Sequence, residues 1–93
     1  MIVGFRDRAT EAVFHGRAPK GFPPDLVGVT RRKLRYLNAA AELHDLRVPP
    51  GNRLEALKAD RAGQYSIRVN DQFRICFLWT AEGPKDVEFT DYH

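Results

Sequence analysis

A chain of 93 residues, 43% hydrophobic with ten aromatic side chains, can build one modest core, which excludes a disordered chain and a multidomain one. No apolar run approaches the roughly 18 residues of a membrane span. Residues 1–5 are too short for a leader's apolar stretch, and a lone cysteine, Cys76, excludes an internal disulfide and argues against a zinc site, so one cytoplasmic domain over 1–93 is expected. The net charge of +3 is uneven: residues 1–47 carry nine Lys/Arg against five Asp/Glu, and residues 48–93 six against seven.

Ile2-Val3-Gly4-Phe5 reads as a short opening strand. Over 7–15, Ala9, Ala12, Val13 and Phe14 recur at helical spacing, and Gly16 is a stop signal. Residues 18–24 hold three prolines and Gly21 and predict a connecting loop. A second helix then opens with Pro24 as an early residue and Asp25 in its first turn. Leu26, Val29, Leu34, Leu37 and Ala41 form its apolar stripe, which carries it through Asn38 and beyond. Basic density peaks on this helix at Arg31, Arg32, Lys33 and Arg35. Such a run is either an RNA-binding patch or the wet face of a helix.

Pro49-Pro50-Gly51 makes 46–52 a loop, and residues 53–57 form the strand that follows the helices. The apolar period then becomes 2. Tyr65, Ile67 and Val69 alternate with polar residues, as do Phe73, Ile75, Phe77 and Trp79 with Arg74 and Cys76, and Asn70-Asp71-Gln72 lies between. A two-residue loop would pair Arg68 with Phe73 and mix both faces. A three-residue loop pairs Val69 with Phe73, Ile67 with Ile75, Tyr65 with Phe77 and Arg68 with Arg74, so one apolar face is buried as a unit. Glu82-Gly83-Pro84-Lys85 turns the chain into a last strand, where Val87-Glu88-Phe89-Thr90 alternates. The expected fold class is α+β, in the order β-α-α-β-β-β-β. Two N-terminal helices pack on one face of a mostly antiparallel sheet of four to five strands, and the other face is left open and polar.

Arg68 opposite Arg74 is an unfavourable like-charge pair unless an anion lies between them, a role that suits guanidinium groups, or both splay into water. The chain closes on Asp91, Tyr92 and His93, which are a carboxylate, a phenol and an imidazole in sequence. Held in a sheet beside Lys58 and Arg74, this triplet offers acid, base and cations to a phosphodiester; unheld, it is a solvated tail. Two potential ligands on one tail make a poor magnesium site, so no metal and no cofactor is expected.

The block Leu54-Glu55-Ala56-Leu57-Lys58-Ala59-Asp60-Arg61, then Gly63 through Asn70, then Phe73-Arg74-Ile75-Cys76-Phe77, then Asp91-Tyr92-His93, resembles HigB-type toxins of the RelE superfamily. The resemblance spans about the whole chain and is specific over 53–79. It implies a RelE-like fold and a bacterial type II toxin that cuts mRNA in the ribosomal A site. Its implied partner is a HigA-type helix-turn-helix antitoxin, through which alone it meets DNA. By position, Lys58 matches a lysine that supports the scissile phosphate, and Arg74 an arginine that stabilises transition-state charge. Asp91, Tyr92 and His93 match the catalytic closing triplet, while Arg68 is added by the pairing argument. Two departures stand out: Glu55, where some relatives have histidine, and Ala59, where many have glycine. Two other readings remain: a non-enzymatic binding module using the basic helix, and a catalytically decayed toxin.

Overall fold

In the computed structural model, which describes residues 1–92, helix α1 spans Arg8–Phe14 because Asp7 caps it. The Asp7 carboxylate accepts the Thr10 backbone N–H (2.7 Å) and the Thr10 hydroxyl (3.0 Å). Gly16 ends the turn with φ +89°, a conformation that favours glycine. A single 3₁₀ turn, Pro24–Leu26, leads into helix α2, Val27–Ala39. The helix stops short of Ala41, which is exposed, so the apolar stripe ends with Leu37.

Two polar residues complete the buried face of α2. Thr30 and Lys33 are buried beside Leu34 and Leu37. The Lys33 ammonium donates to Asn52 Oδ1 at 2.6 Å, and the fully buried Asn52 donates in turn to the carbonyls of Leu46 (3.1 Å) and Val48 (3.4 Å). Burial lowers the Lys33 pKa, and Arg32 and Arg68 lower it further. The proline-rich loop is thus bonded to α2 through one amide.

Four antiparallel strands follow in the order β1-β2-β3-β4: Glu55–Ala56, Gln64–Arg68, Phe73–Thr80 and Gly83–Asp91. The hairpin register is the expected one, with Tyr65 opposite Phe77, Ile67 opposite Ile75 and Arg68 opposite Arg74. Asn70 Oδ1 fixes the turn by accepting from the backbone of Gln72 (2.9 Å) and Phe73 (2.7 Å). Ile67, Ile75, Phe77 and Val87 meet Val13, Leu34 and Leu37 in a fully buried core. Burial of such side chains, at about 25 cal/mol per Å², is what holds the helices on the sheet.

Two expected strands come out differently. The strand expected over 53–57 contracts to Glu55–Ala56, because Arg53 adopts φ +45° and cannot extend. Residues 2–5 form no full strand. They run along β4 with a single parallel bridge, Phe5 to Val87, through Val3 N–H to Pro84 O (2.7 Å), Val87 N–H to Gly4 O (3.1 Å) and Arg6 N–H to Val87 O (3.0 Å). Pro84 has no N–H to return, and Asp86 bends β4 at φ +52°, so the ladder cannot lengthen. At Gly83 a side chain is excluded: a Cβ would lie 2.1 Å from the Met1 carbonyl oxygen.

Replacing Asn52 by alanine strands the Lys33 ammonium and two carbonyls, so Asn52→Ala should lower the unfolding free energy by about 2–4 kcal/mol in urea denaturation. An unchanged midpoint would show that the loop is not held by this amide.

Candidate functional site

The register places two rungs of side chains on the sheet face turned away from the helices. One runs Glu55, Ser66, Cys76, Glu88, and the next Arg68, Arg74, Thr90. Ser66 and Cys76 are small and fully buried, which leaves room for arginines to lie across them. Burial raises the Cys76 pKa and keeps it a neutral thiol.

Arg74 is held from its base to its tip. Its Nε–H donates to Ser66 Oγ at 2.6 Å, and its Nη2 donates to the Arg53 carbonyl at 2.7 Å and more weakly to the Ser66 carbonyl at 3.4 Å. The left-handed backbone at Arg53 turns that carbonyl into position. Arg68 takes a different course and pairs with Asp71 in the hairpin turn. The two opposed arginines therefore diverge, each with its own acceptor. With Arg53, Glu55, Asn70, Asp71 and Tyr92 they line an open cleft of about 310 Å³. Three arginines against two carboxylates leave this cleft a small positive balance.

Strand alternation divides the closing triplet. Tyr92 joins the cleft, and the Arg61 guanidinium carbon lies 6.0 Å from its ring centroid. Asp91, opposite Phe73, points to the helix side. There it borders a hollow with Lys20, Phe22, Phe73 and Phe89, and it accepts from Gln72 Nε2 at 3.1 Å. His93 lies outside the described residues. Lys58 is exposed at the start of the 3₁₀ turn Ala59–Arg61 and does not line the cleft.

The basic run of α2 is also divided. Arg31, Arg32 and Arg35 border a shallow groove of about 260 Å³ with Gly28, whereas Lys33 faces inward to Asn52. Helical spacing carries this outcome, since position 33 falls on the same face as 30, 34 and 37. Among the described residues, the potential metal ligands that lie together are Glu42, His44 and Asp45, all exposed. There Asp45 accepts the backbone N–H groups of Ala41 (3.0 Å) and Glu42 (2.9 Å) as a cap.

Arg61 is the site residue that sequence reasoning passes over. Its Nη1 donates to Gln64 Oε1 (3.0 Å) and to Glu88 Oε1 (3.1 Å). The available signal was Glu88: strand alternation puts its carboxylate beside the buried Cys76, where a charge requires a partner.

Ser66→Ala removes the acceptor of the Arg74 Nε–H. This loss should cost about 1 kcal/mol in stability and speed solvent exchange of the Arg74 Nε proton in NMR spectra. Exchange as slow as in the wild type would show that Ser66 does not hold the guanidinium.

The family model described as RelE-like toxin of type II toxin-antitoxin system HigB matches residues 3–93. Toxin HigB-1 of Vibrio cholerae serotype O1 is 39% identical over 80 residues, which cover 85% of this chain and 84% of that toxin. Endoribonuclease HigB of Proteus vulgaris is 29% identical over an alignment covering both chains in full. An uncharacterized protein of Haemophilus influenzae is 40% identical over 65 residues, 70% of this chain and 64% of that one. The α+β fold, the antiparallel sheet with its held arginine and a match over nearly the whole length agree: this chain belongs to the HigB-like family of RelE-like toxins of type II toxin-antitoxin systems.

Proposed function

We propose that the chain is an endoribonuclease that cuts mRNA on the translating ribosome by attack of the RNA's own 2′-OH on the adjacent phosphorus. The observation that carries this reading is Arg74, fixed by Ser66 and the Arg53 carbonyl at the wall of an open cleft. A cation held in place before the substrate arrives stabilises developing charge without reorganising. The similarity to a protein named Endoribonuclease HigB supports the same class of reaction.

In the proposed step the 2′-oxygen gives up its proton and bonds to phosphorus. The bond from phosphorus to the 5′-oxygen breaks, and that oxygen takes a proton. The products are a 2′,3′-cyclic phosphate and a 5′-hydroxyl. Arg74 neutralises charge on the phosphorane, with Arg68 as a second cation in the cleft, and Lys58, exposed outside the cleft lining, reaches in to support the phosphate. Tyr92 supplies a ring for an unstacked base. His93 and Asp91 are assigned the proton transfers, one as base and the other as acid, each worth roughly 10²–10⁴-fold; for Asp91 this requires the exposed carboxylate to leave Gln72 on the helix side and swing toward the cleft. The small positive balance of the cleft gives little grip on free RNA, whose binding depends on the number of phosphates neutralised. That weakness suits a substrate presented by the ribosomal A site. Arg32 and Arg35 face solvent on α2, with Arg31 half-buried beside them, and offer a separate contact to RNA phosphates. The partner that restrains the toxin is a HigA-type helix-turn-helix antitoxin.

The groove of Arg31, Arg32 and Arg35 favours a second reading, a binding module without chemistry. Induced expression with mapping of mRNA 5′ ends separates the two. The wild-type chain should arrest growth and create new in-frame 5′ ends, and Arg74→Ala should cut them by about 10²–10³-fold. Equal arrest by both chains without new ends, relieved only by neutralising the three α2 arginines, would establish the binding module instead.

A further inference from the structure

The proposed step makes no use of Arg61, yet its guanidinium lies over the Tyr92 ring. Tyr92 lies one residue beyond the end of β4, and the register ends with Asp91 opposite Phe73. The position of the Tyr92 ring therefore depends on what its side chain meets. It meets the Arg61 guanidinium, at 6.0 Å from carbon to ring centroid. That distance is at the reach of a cation–π contact.

The guanidinium is itself anchored. Its Nη1 serves two acceptors on two strands, Gln64 Oε1 on β2 at 3.0 Å and Glu88 Oε1 on β4 at 3.1 Å. The side chains of Arg61 and Glu88 are 24% and 20% exposed, so water competes weakly for the pair. One planar group thus joins the 3₁₀ turn after β1, the start of β2, the middle of β4 and the ring of Tyr92.

We propose that Arg61 is a positioning residue of the nuclease, a clamp that holds Tyr92 and the closing segment against the Arg74 cleft, with Glu88 and Gln64 setting its plane. The inference rests on the endoribonuclease reading above. Arginine suits the role because a fork of donors and a flat face act together, which a lysine ammonium cannot reproduce.

The test is a double-mutant cycle on programmed ribosomes with purified wild type, Arg61→Ala, Tyr92→Ala and the double variant. The backbone order parameter of Tyr92 is measured by NMR for the wild type and Arg61→Ala. Arg61→Ala should lower kcat by about 10- to 100-fold with KM nearly unchanged, since misplacement of a group near the chemistry costs that much. In the Tyr92→Ala background the same change should cost less than about 2-fold, and the Tyr92 order parameter should fall in Arg61→Ala. Arg61→Lys, which keeps the charge but not the fork, should lose less than Arg61→Ala; it also serves if the alanine variant fails to fold. Equal cost of Arg61→Ala with and without the Tyr92 ring, or an unaltered order parameter, would overturn the clamp. No cutting by the wild type would instead overturn the nuclease reading, and the order parameter would still decide whether Arg61 holds the tail.

Discussion

With the Val69 N–H bonded to the Phe73 carbonyl at 3.0 Å and Asn70 capping the turn between them, β2 and β3 meet in one register. Every side chain on the open face takes its place from that register. A slip of β2 by one residue would carry Ile67 into water and drive Arg68 against the helices. Because Ile67, Ile75 and Phe77 are fully buried, the core itself forbids the slip. Core packing and site geometry are in this sense one constraint. The same pairs that exclude water on one side set Ser66 beside Cys76, and Arg68 opposite Arg74, on the other.

The cations of this protein differ in what they are committed to. Arg74 is bonded to Ser66 and to the Arg53 carbonyl, so its orientation is settled before any ligand arrives. Arg68 is paired with Asp71, whose side chain is fully exposed, and such a pair is easily exchanged for another anion. Arg61 is given over to Glu88, Gln64 and Tyr92. Lys33 is withdrawn into the fold, where it holds Asn52. Of the basic run, Arg32 and Arg35 are exposed, with Arg31 half-buried beside them. Net charge alone would treat these groups alike, but burial and partners separate them into buried, bonded and solvent-facing cations.

Much of this was legible in the sequence where the physical signal is periodic. The change of period from 3.6 to 2 marked the passage from helices to sheet, and burial of a single face selected the three-residue turn and with it the Arg68–Arg74 rung. Aperiodic features were less legible. The strand expected over 53–57 shrank because Arg53 adopts a left-handed backbone that its residue type does not announce. Residues 2–5 read as a strand, but Pro84 and the bend at Asp86 deny them a ladder. Lys33 resembled its basic neighbours; helical spacing sets it on the buried face with Thr30, Leu34 and Leu37, but its partner, an asparagine 19 residues away, has no periodic signal. The division of Asp91 from Tyr92 follows from strand alternation and was available in principle; treating the triplet as a unit concealed it.

In the proposed reaction the RNA supplies its own nucleophile to a site built around Arg74. This is tested most directly by a reconstituted translation reaction on an mRNA carrying a single 2′-deoxy nucleotide at the cut site, beside the all-ribose message. Only the all-ribose message should be cut, with a 2′,3′-cyclic phosphate on the upstream fragment. Equal cutting of both messages would contradict the proposed reaction, since the attacking group would then have to come from elsewhere.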